Sequence, residues 1–203
     1  MLDTRARKIV DPLFERLAKL LLRLRFTPNL VTALAFLLGL GAGVLLLVGL
    51  PVPAVVALWL SGFLDAVDGT MARLSGKSSL FGAVLDVTCD RVVELGFVWV
   101  LALQHPDCLM PLLGLVSAIL LSMTVFLMTG MLAQNNSSKS FYYPAGLMER
   151  TEGFFLFSLM ALFQAYLAPI TWVFAGLILF TAIQRLLIAF RLQKTTQSSK
   201  DID

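Results

Sequence analysis

Residues 64–90 read LDAVDGTMARLSGKSSLFGAVLDVTCD, and the fold and chemistry both turn on this stretch. It sets four aspartates, Asp65, Asp68, Asp86 and Asp90, in sequence otherwise apolar enough for a membrane. Asp65 and Asp68 are three apart and Asp86 and Asp90 four apart, so on two helices each pair shares one face. A charge at the centre of a membrane helix costs about 2.5–3.5 kcal/mol on insertion scales. Four such charges need compensation, and the nearby cations are only Arg73, Lys77 and Arg91. Divalent ions are the natural partner. Carboxylate oxygens suit Mg²⁺, Mn²⁺ or Ca²⁺, and no Cys/His cluster for zinc accompanies them.

The composition supports a membrane setting. Of 203 residues 58% are hydrophobic and 14% charged, against about a quarter charged in a globular chain, and the mean hydropathy is +0.85. The opening residues do not read as a cleavable signal, because a long charged helix, rather than a short basic stretch, precedes the apolar run Leu30–Val48. A net charge of +3, dispersed along the chain, does not suggest nucleic acid. Cys89 falls in an expected membrane helix and Cys108 in a turn well beyond it, so a disulfide is not expected.

Outward from the aspartates, periodicity predicts an all-α protein of six transmembrane helices preceded by an amphipathic juxtamembrane helix. Residues 3–24 carry Ile9, Val10, Leu13, Phe14, Leu17, Leu20, Leu21 and Leu24 at helical spacing, with Arg7, Arg16, Lys19 and Arg23 largely outside that stripe. Such a helix either lies on an anionic leaflet, the favoured reading, or packs on the protein itself. Spans are expected over about 30–50, 54–73, 80–103, 112–133, 153–167 and 170–190, followed by a polar tail, 191–203. One domain, 1–203, is expected. Lys and Arg gather at the N-terminus, around the links after spans two and four, and near the C-terminus; Arg91, within span three, is nearest that side. The turns around Gly49–Pro53, His105–Cys108 and Ala168–Pro169 carry none. The positive-inside rule then puts both termini and the aspartates on the cytoplasmic side.

Written as a pattern, the stretch is D-x-x-D-G-x-x-A-R-x8-G-x3-D-x3-D, through Asp65, Asp68, Gly69, Ala72, Arg73, Gly82, Asp86 and Asp90. It resembles the signature of the CDP-alcohol phosphotransferase family at every fixed position. Thr27-Pro28-Asn29 with Thr32, and Glu149-Arg150-x-Glu152, are similar to that family's N-terminal and later elements. The resemblance implies a phospholipid-biosynthetic transferase that moves a phosphatidyl-type group from CDP-diacylglycerol to an alcohol and releases CMP. It implies that Asp65, Asp68, Asp86 and Asp90 hold two Mg²⁺ or Mn²⁺ ions, with Asp90 also the general base on the acceptor hydroxyl. It also implies a homodimer and a bacterial-type inner membrane. With a pyrophosphate present, two divalent ions would bring the local charge from about −5 to about −1, which a low dielectric requires.

The remaining site residues are assigned more loosely. Thr27, Pro28, Asn29, Leu30, Gly69, Arg73 and Ser79 are expected at the CDP-lipid end, with Arg73 on a phosphate and Gly69 letting the cytidine approach the backbone. Arg150, Lys139 and Arg91 are expected on the acceptor side, Arg150 foremost. Glu94 is read as an interior partner of Arg91 or a fifth acid, and His105 as a solvated turn residue. A rival function, a cation transporter or channel, also places acids within the membrane. It needs neither Gly69 nor Arg73, and it favours acids spread along a path. The run FGAVLDVTCDR is similar to that of inositol-phosphate-using members. Where those carry a basic cluster at the end of span four, this chain has Met128-Thr129-Gly130-Met131, which argues against that acceptor.

Overall fold

Thr27-Pro28-Asn29 shows how the sequence starts and stops its helices. In the computed structural model, which describes residues 2–76, 79–134 and 146–200, helix α1 (Leu2–Arg23) ends just before this triplet and α2 (Pro28–Leu47) begins within it. Thr27 is the N-cap: its Oγ1 accepts from the Leu30 amide at 3.3 Å, and Pro28 fills the first helical position, where its missing N–H is not needed. The end of α1 curls through Arg25 at φ 64°, with Phe26 N–H donating to Leu21 O and Arg25 N–H to Leu22 O, both at 3.0 Å. That is the paired-carbonyl ending in which glycine is usual. Gly49, at φ 80°, closes α2 in the same way.

Helix α3 (Pro51–Leu74) carries Asp65, Asp68 and Arg73, and α4 (Leu80–Gln104) carries Asp86, Asp90 and Arg91. The turn after α3 passes through Gly76 at φ 64°. Ser79 then caps α4 by accepting from the Gly82 amide at 3.0 Å. Helices α3 and α4 both pack on α2. Ser61 Oγ donates to Ala35 O at 2.7 Å, and Gln104 Nε2 donates to Leu46 O at 3.0 Å, so α2 is tied near its middle and at its end. Glycine is required where α2 meets its neighbours: a Cβ on Gly39 would stand 2.6 Å from Val93 Cγ2 and 2.9 Å from Ser61 Oγ.

Helix α1 settles against this group with Phe14, Leu17, Ala18, Leu21 and Leu22 on Val31, Phe63, Leu64, Val67 and Met71. Leu13, Leu20 and Leu24 stay about half exposed or more, beside exposed Arg16 and Arg23. Protein packing, the less favoured expectation, therefore holds for one face.

The chain divides into two compact units. One is Thr4–Leu109 with Phe157–Ala165; there Trp59 Nε1 donates to Ser158 Oγ at 3.0 Å and Phe97 meets Phe157 edge-on at 5.7 Å. The other is built chiefly from α5 (Leu109–Gln134), the start of α6 (Arg150–Leu162) and α7 (Leu167–Lys200). Within it Gly114 lies under Trp172, and Thr181 Oγ1 and Gln184 Oε1 accept from the amides of Met148 and Leu147 at 3.0 Å.

Every regular element among the described residues is helical. Among the described residues, four helical segments are long and apolar enough to cross a membrane: Pro28–Leu47, Pro51–Leu74, Pro106–Met131 and Gln164–Arg191. Helix α4 has the length but carries Asp86, Asp90, Arg91 and Glu94, and α6 has only 13 residues before a short 3-10 turn, Gln164–Tyr166. The expected polar tail is helical to Lys200, since Arg191–Lys200 contains neither Gly nor Pro. His105 is not merely solvated, because its Nε2 lies 3.1 Å from Gln164 Oε1. Cys108, in the turn, is buried.

Candidate metal and phosphate site

Asp65 and Asp68 share a face of α3, and both are buried, at 8% and 5% exposure. Asp86 comes from α4 and is partly buried. One carboxylate oxygen from each of the three lies within 4.8 Å of the other two. The Oδ2 atom of Asp68 and the Oδ1 atom of Asp86 are wholly shielded from solvent. Three carboxylates so gathered repel one another strongly in a low dielectric. A hard cation is the group that such an all-oxygen donor set fits, so the residues present suit Mg²⁺ or Mn²⁺. Asp90 stands one turn beyond Asp86, partly buried and outside the triplet.

The cationic residues divide in their roles. Arg73 is exposed at the end of α3, where its Nη2 donates to Thr70 Oγ1 at 2.8 Å. Thr70 in turn donates to Ala66 O at 3.0 Å. Thr70 was not legible as a site residue; its signal is only that it sits one turn before an arginine within the motif. Arg91 is paired with Glu94 at 2.5 Å, as one of the two readings of Glu94 expects. A Cβ on Gly69 would meet Arg73 Nη1 at 3.6 Å, an ordinary contact, so the backbone there is open enough for a side chain. Thr27 and Ser79 both serve as helix caps, and Pro28, Asn29 and Leu30 form the first turn of α2. Each cap leaves the positive end of a helix dipole beside it, an arrangement that favours anions.

Arg150 and its neighbours belong to the other unit. Arg150 opens α6 with its guanidinium over the Phe154 ring at 5.5 Å, between partly buried Glu149 and Glu152. Arg185 of α7, which the sequence reading passed over, is held inside that unit. Its Nη1 donates to Ser122 Oγ at 3.1 Å and its guanidinium lies 4.9 Å from the Phe126 ring. An arginine in the middle of an apolar run is itself the signal that could have found it. Lys139 lies outside the described residues.

The carboxylate triplet is thus gathered from α3 and α4, and the D-x-x-D-G-x-x-A-R motif supplies two of its members. The CDP-alcohol phosphatidyltransferase family model matches residues 25–184, and the chain belongs to that family. It is a membrane-associated transferase of phospholipid biosynthesis. Among its relatives, the phosphatidylinositol phosphate synthase of Corynebacterium glutamicum is 30% identical over 201 residues, covering 93% of this chain and 89% of that one. Two solved structures of the Mycobacterium tuberculosis phosphatidylinositol phosphate synthase share the fold at 23% identity. The one with CDP-DAG bound has a TM-score of 0.69 and covers 87% of this chain and 93% of that chain. The one in complex with manganese and citrate has a TM-score of 0.68 and covers 87% and 88%.

Proposed function

We propose that the chain transfers the phosphatidyl group of CDP-diacylglycerol to a small alcohol and releases CMP, using two Mg²⁺ or Mn²⁺ ions. The observation that carries this is the meeting of Asp65, Asp68 and Asp86 within 4.8 Å. The relatives with CDP-DAG and with manganese support the choice of donor and metal. Asp65, Asp68, Asp86 and Asp90 would hold the ions, which when bound neutralise the pyrophosphate and polarise its phosphorus.

The chain's own residues do the rest. Asp90 takes the proton of the acceptor hydroxyl as its oxygen attacks phosphorus; the new O–P bond forms as the pyrophosphate bond breaks, and CMP leaves. Arg73, poised by Thr70, places a guanidinium on a phosphate. Gly69 keeps the backbone accessible to the cytidine, and Thr27, Pro28, Asn29, Leu30 and Ser79 present helix-start amides. In this reading one domain crosses the bilayer six times, α4 and α6 included. Both termini and the site face the cytoplasm of a bacterial-type inner membrane, and the chain forms a homodimer. Leu13 and Leu20 of α1, with Leu24 just beyond it, dip among anionic lipid headgroups beside Arg16 and Arg23.

The acceptor carries at most one phosphate and is held chiefly by Arg150, with Lys139 and Arg91 subsidiary. Arg91 is the weakest of these because Glu94 already engages it. The relatives' activity points to inositol phosphate, whereas the neutral Met128–Met131 segment points away from it. Purified protein supplied with CDP-diacylglycerol, Mn²⁺ and a panel of radiolabelled acceptors decides both questions. CMP release that depends on one acceptor is expected. No CMP release with any member of the panel, with or without metal, overturns the reading and returns attention to cation transport.

A further inference from the structure

Arg73 closes the D-x-x-D-G-x-x-A-R motif in the last turn of α3, where a long cationic side chain ordinarily extends outward to the headgroups. Its guanidinium instead folds back over its own helix. Nη2 donates to Thr70 Oγ1 at 2.8 Å, and a Cβ on Gly69 would stand 3.6 Å from Nη1. Thr70 is three residues before Arg73 and Gly69 four, so both lie on the surface that the arginine covers. Gly69 is also four residues beyond Asp65 and neighbours that acid on the helix surface. The Nη2 edge is therefore tied at Thr70, and the Nη1 edge lies on the side of the acids.

The chemistry of the tie is specific. Thr70 is buried, at 7% exposure, and its hydroxyl donates to Ala66 O at 3.0 Å. With its one proton committed there, Oγ1 meets the guanidinium only as an acceptor. A hydroxyl is also a neutral partner. Glu94 engages Arg91 and offsets its charge, whereas among the described residues Arg73 pairs with no carboxylate. Arg73 is thus oriented without being neutralised, and its other N–H groups stay available to an anion.

We propose that Thr70 is a positioning residue of the transfer site. Its hydroxyl holds the Arg73 guanidinium over Gly69, set for the diphosphate of the donor, in place of the outward conformation. The inference rests on the donor assigned above and goes beyond it in saying how the arginine is made ready. A guanidinium already held in one conformation loses less freedom when the diphosphate arrives, so more of each charge-assisted bond appears as affinity. The motif leaves position 70 open, so the device belongs to this chain's own residue rather than to the pattern.

The test measures the Kd of CDP-dioleoylglycerol by titration calorimetry, with the full chain in detergent and Mn²⁺ present, so that no acceptor is needed. Thr70→Val keeps the branched shape and removes the acceptor oxygen, and Kd should rise about tenfold. Thr70→Ser returns the oxygen and should bring Kd back close to the wild-type value. Arg73→Gln should weaken binding at least as much as Thr70→Val. Adding Thr70→Val to Arg73→Gln should weaken it no further, because a residue that acts through the guanidinium then has nothing left to position. Thermal midpoints report folding, and if Thr70→Val does not fold, Thr70→Ala removes the same oxygen and completes the cycle. Wild-type affinity in folded Thr70→Val overturns the proposal. A loss that persists in Thr70→Ser, or in full on the Arg73→Gln background, overturns it too and makes the role of Thr70 one of packing. If Arg73→Gln alone binds as the wild type does, Arg73 touches no phosphate and the proposal falls with it. If the wild-type chain binds no CDP-dioleoylglycerol, the donor assignment itself has failed, a result distinct from these.

Discussion

Asp68 is the most buried of the site's acids, and its surroundings set what substitution there does. Asp65→Asn, Asp68→Asn or Asp86→Asn removes one negative charge from a cluster that is self-repelling without a cation, so the fold should tolerate each. CMP release should fall by at least about a hundredfold, since outer-shell ligand changes alone cost 10–100-fold. Circular dichroism and monodisperse elution should stay unchanged. Activity that survives any one of these changes would remove that residue from the metal set. Ser79 poses a sharper question, because a cap and a substrate contact both predict loss on mutation. Ser79→Ala should lower stability by about 0.5–2 kcal/mol through the lost cap. Ser79→Asn keeps a capping oxygen and should restore the thermal midpoint. If it restores stability while KM for the CDP-lipid remains raised, Ser79 touches substrate; recovery of both makes its role the cap alone.

Helices were legible to the extent that one pattern ruled each of them. The boundaries of α2 and α3 fall close to expectation because Pro28 and Pro51 fix the starts and Gly49 and Gly76 the ends. Of the acids of α4 singled out by their spacing, Asp86 joins the triplet and Asp90 stands outside it, and the same charges remove that helix from a count based on apolar length. Helix α6 was overdrawn at its far end, where Gln164–Tyr166 forms a 3-10 turn within an apolar run that has no proline or glycine to announce it. Helix α1 is a different case. Its apolar residues form two faces, one packed through Ala18 and one left outward through Leu13 and Leu20, and periodicity alone cannot separate a protein neighbour from a lipid one. Ala18, with no exposed surface, is the residue that tells them apart. Ala18→Leu should overpack that contact and destabilise by about 1–3 kcal/mol, read as a lower thermal midpoint in detergent. Leu20→Ser should leave the detergent midpoint nearly unchanged and weaken retention of α1 at anionic bilayers, read by quenching of a probe on α1 with brominated lipid. The opposite assignment of the two effects would reverse the two faces.

At the scale of the molecule, the carboxylate cluster makes stability a function of metal concentration. Asp65 and Asp68 arrive on α3 and Asp86 on α4, so the electrostatic cost of bringing them together falls on the helix pair itself. An ion that binds the assembled triplet and not the unfolded chain stabilises by RT ln(1 + [L]/Kd), about 2.7 kcal/mol at a hundredfold excess over Kd. The sign is fixed: Mn²⁺ should raise the thermal midpoint, EDTA should lower it, and the rise should follow the logarithm of free metal. Asp68→Asn should flatten that dependence and, with one charge fewer, melt at or above the wild-type midpoint when both are in EDTA. Arg185→Leu supplies the control, since Arg185 lies in the unit that does not contain the triplet. It should shift the baseline and leave the slope against metal intact. The measurement is thermal unfolding in detergent across free Mn²⁺ from micromolar to millimolar, with no substrate present, so it does not depend on turnover. A wild-type midpoint indifferent to Mn²⁺ would mean that the triplet does not hold the ion in the absence of nucleotide. A slope that persists in Asp68→Asn would place the ion elsewhere in the chain.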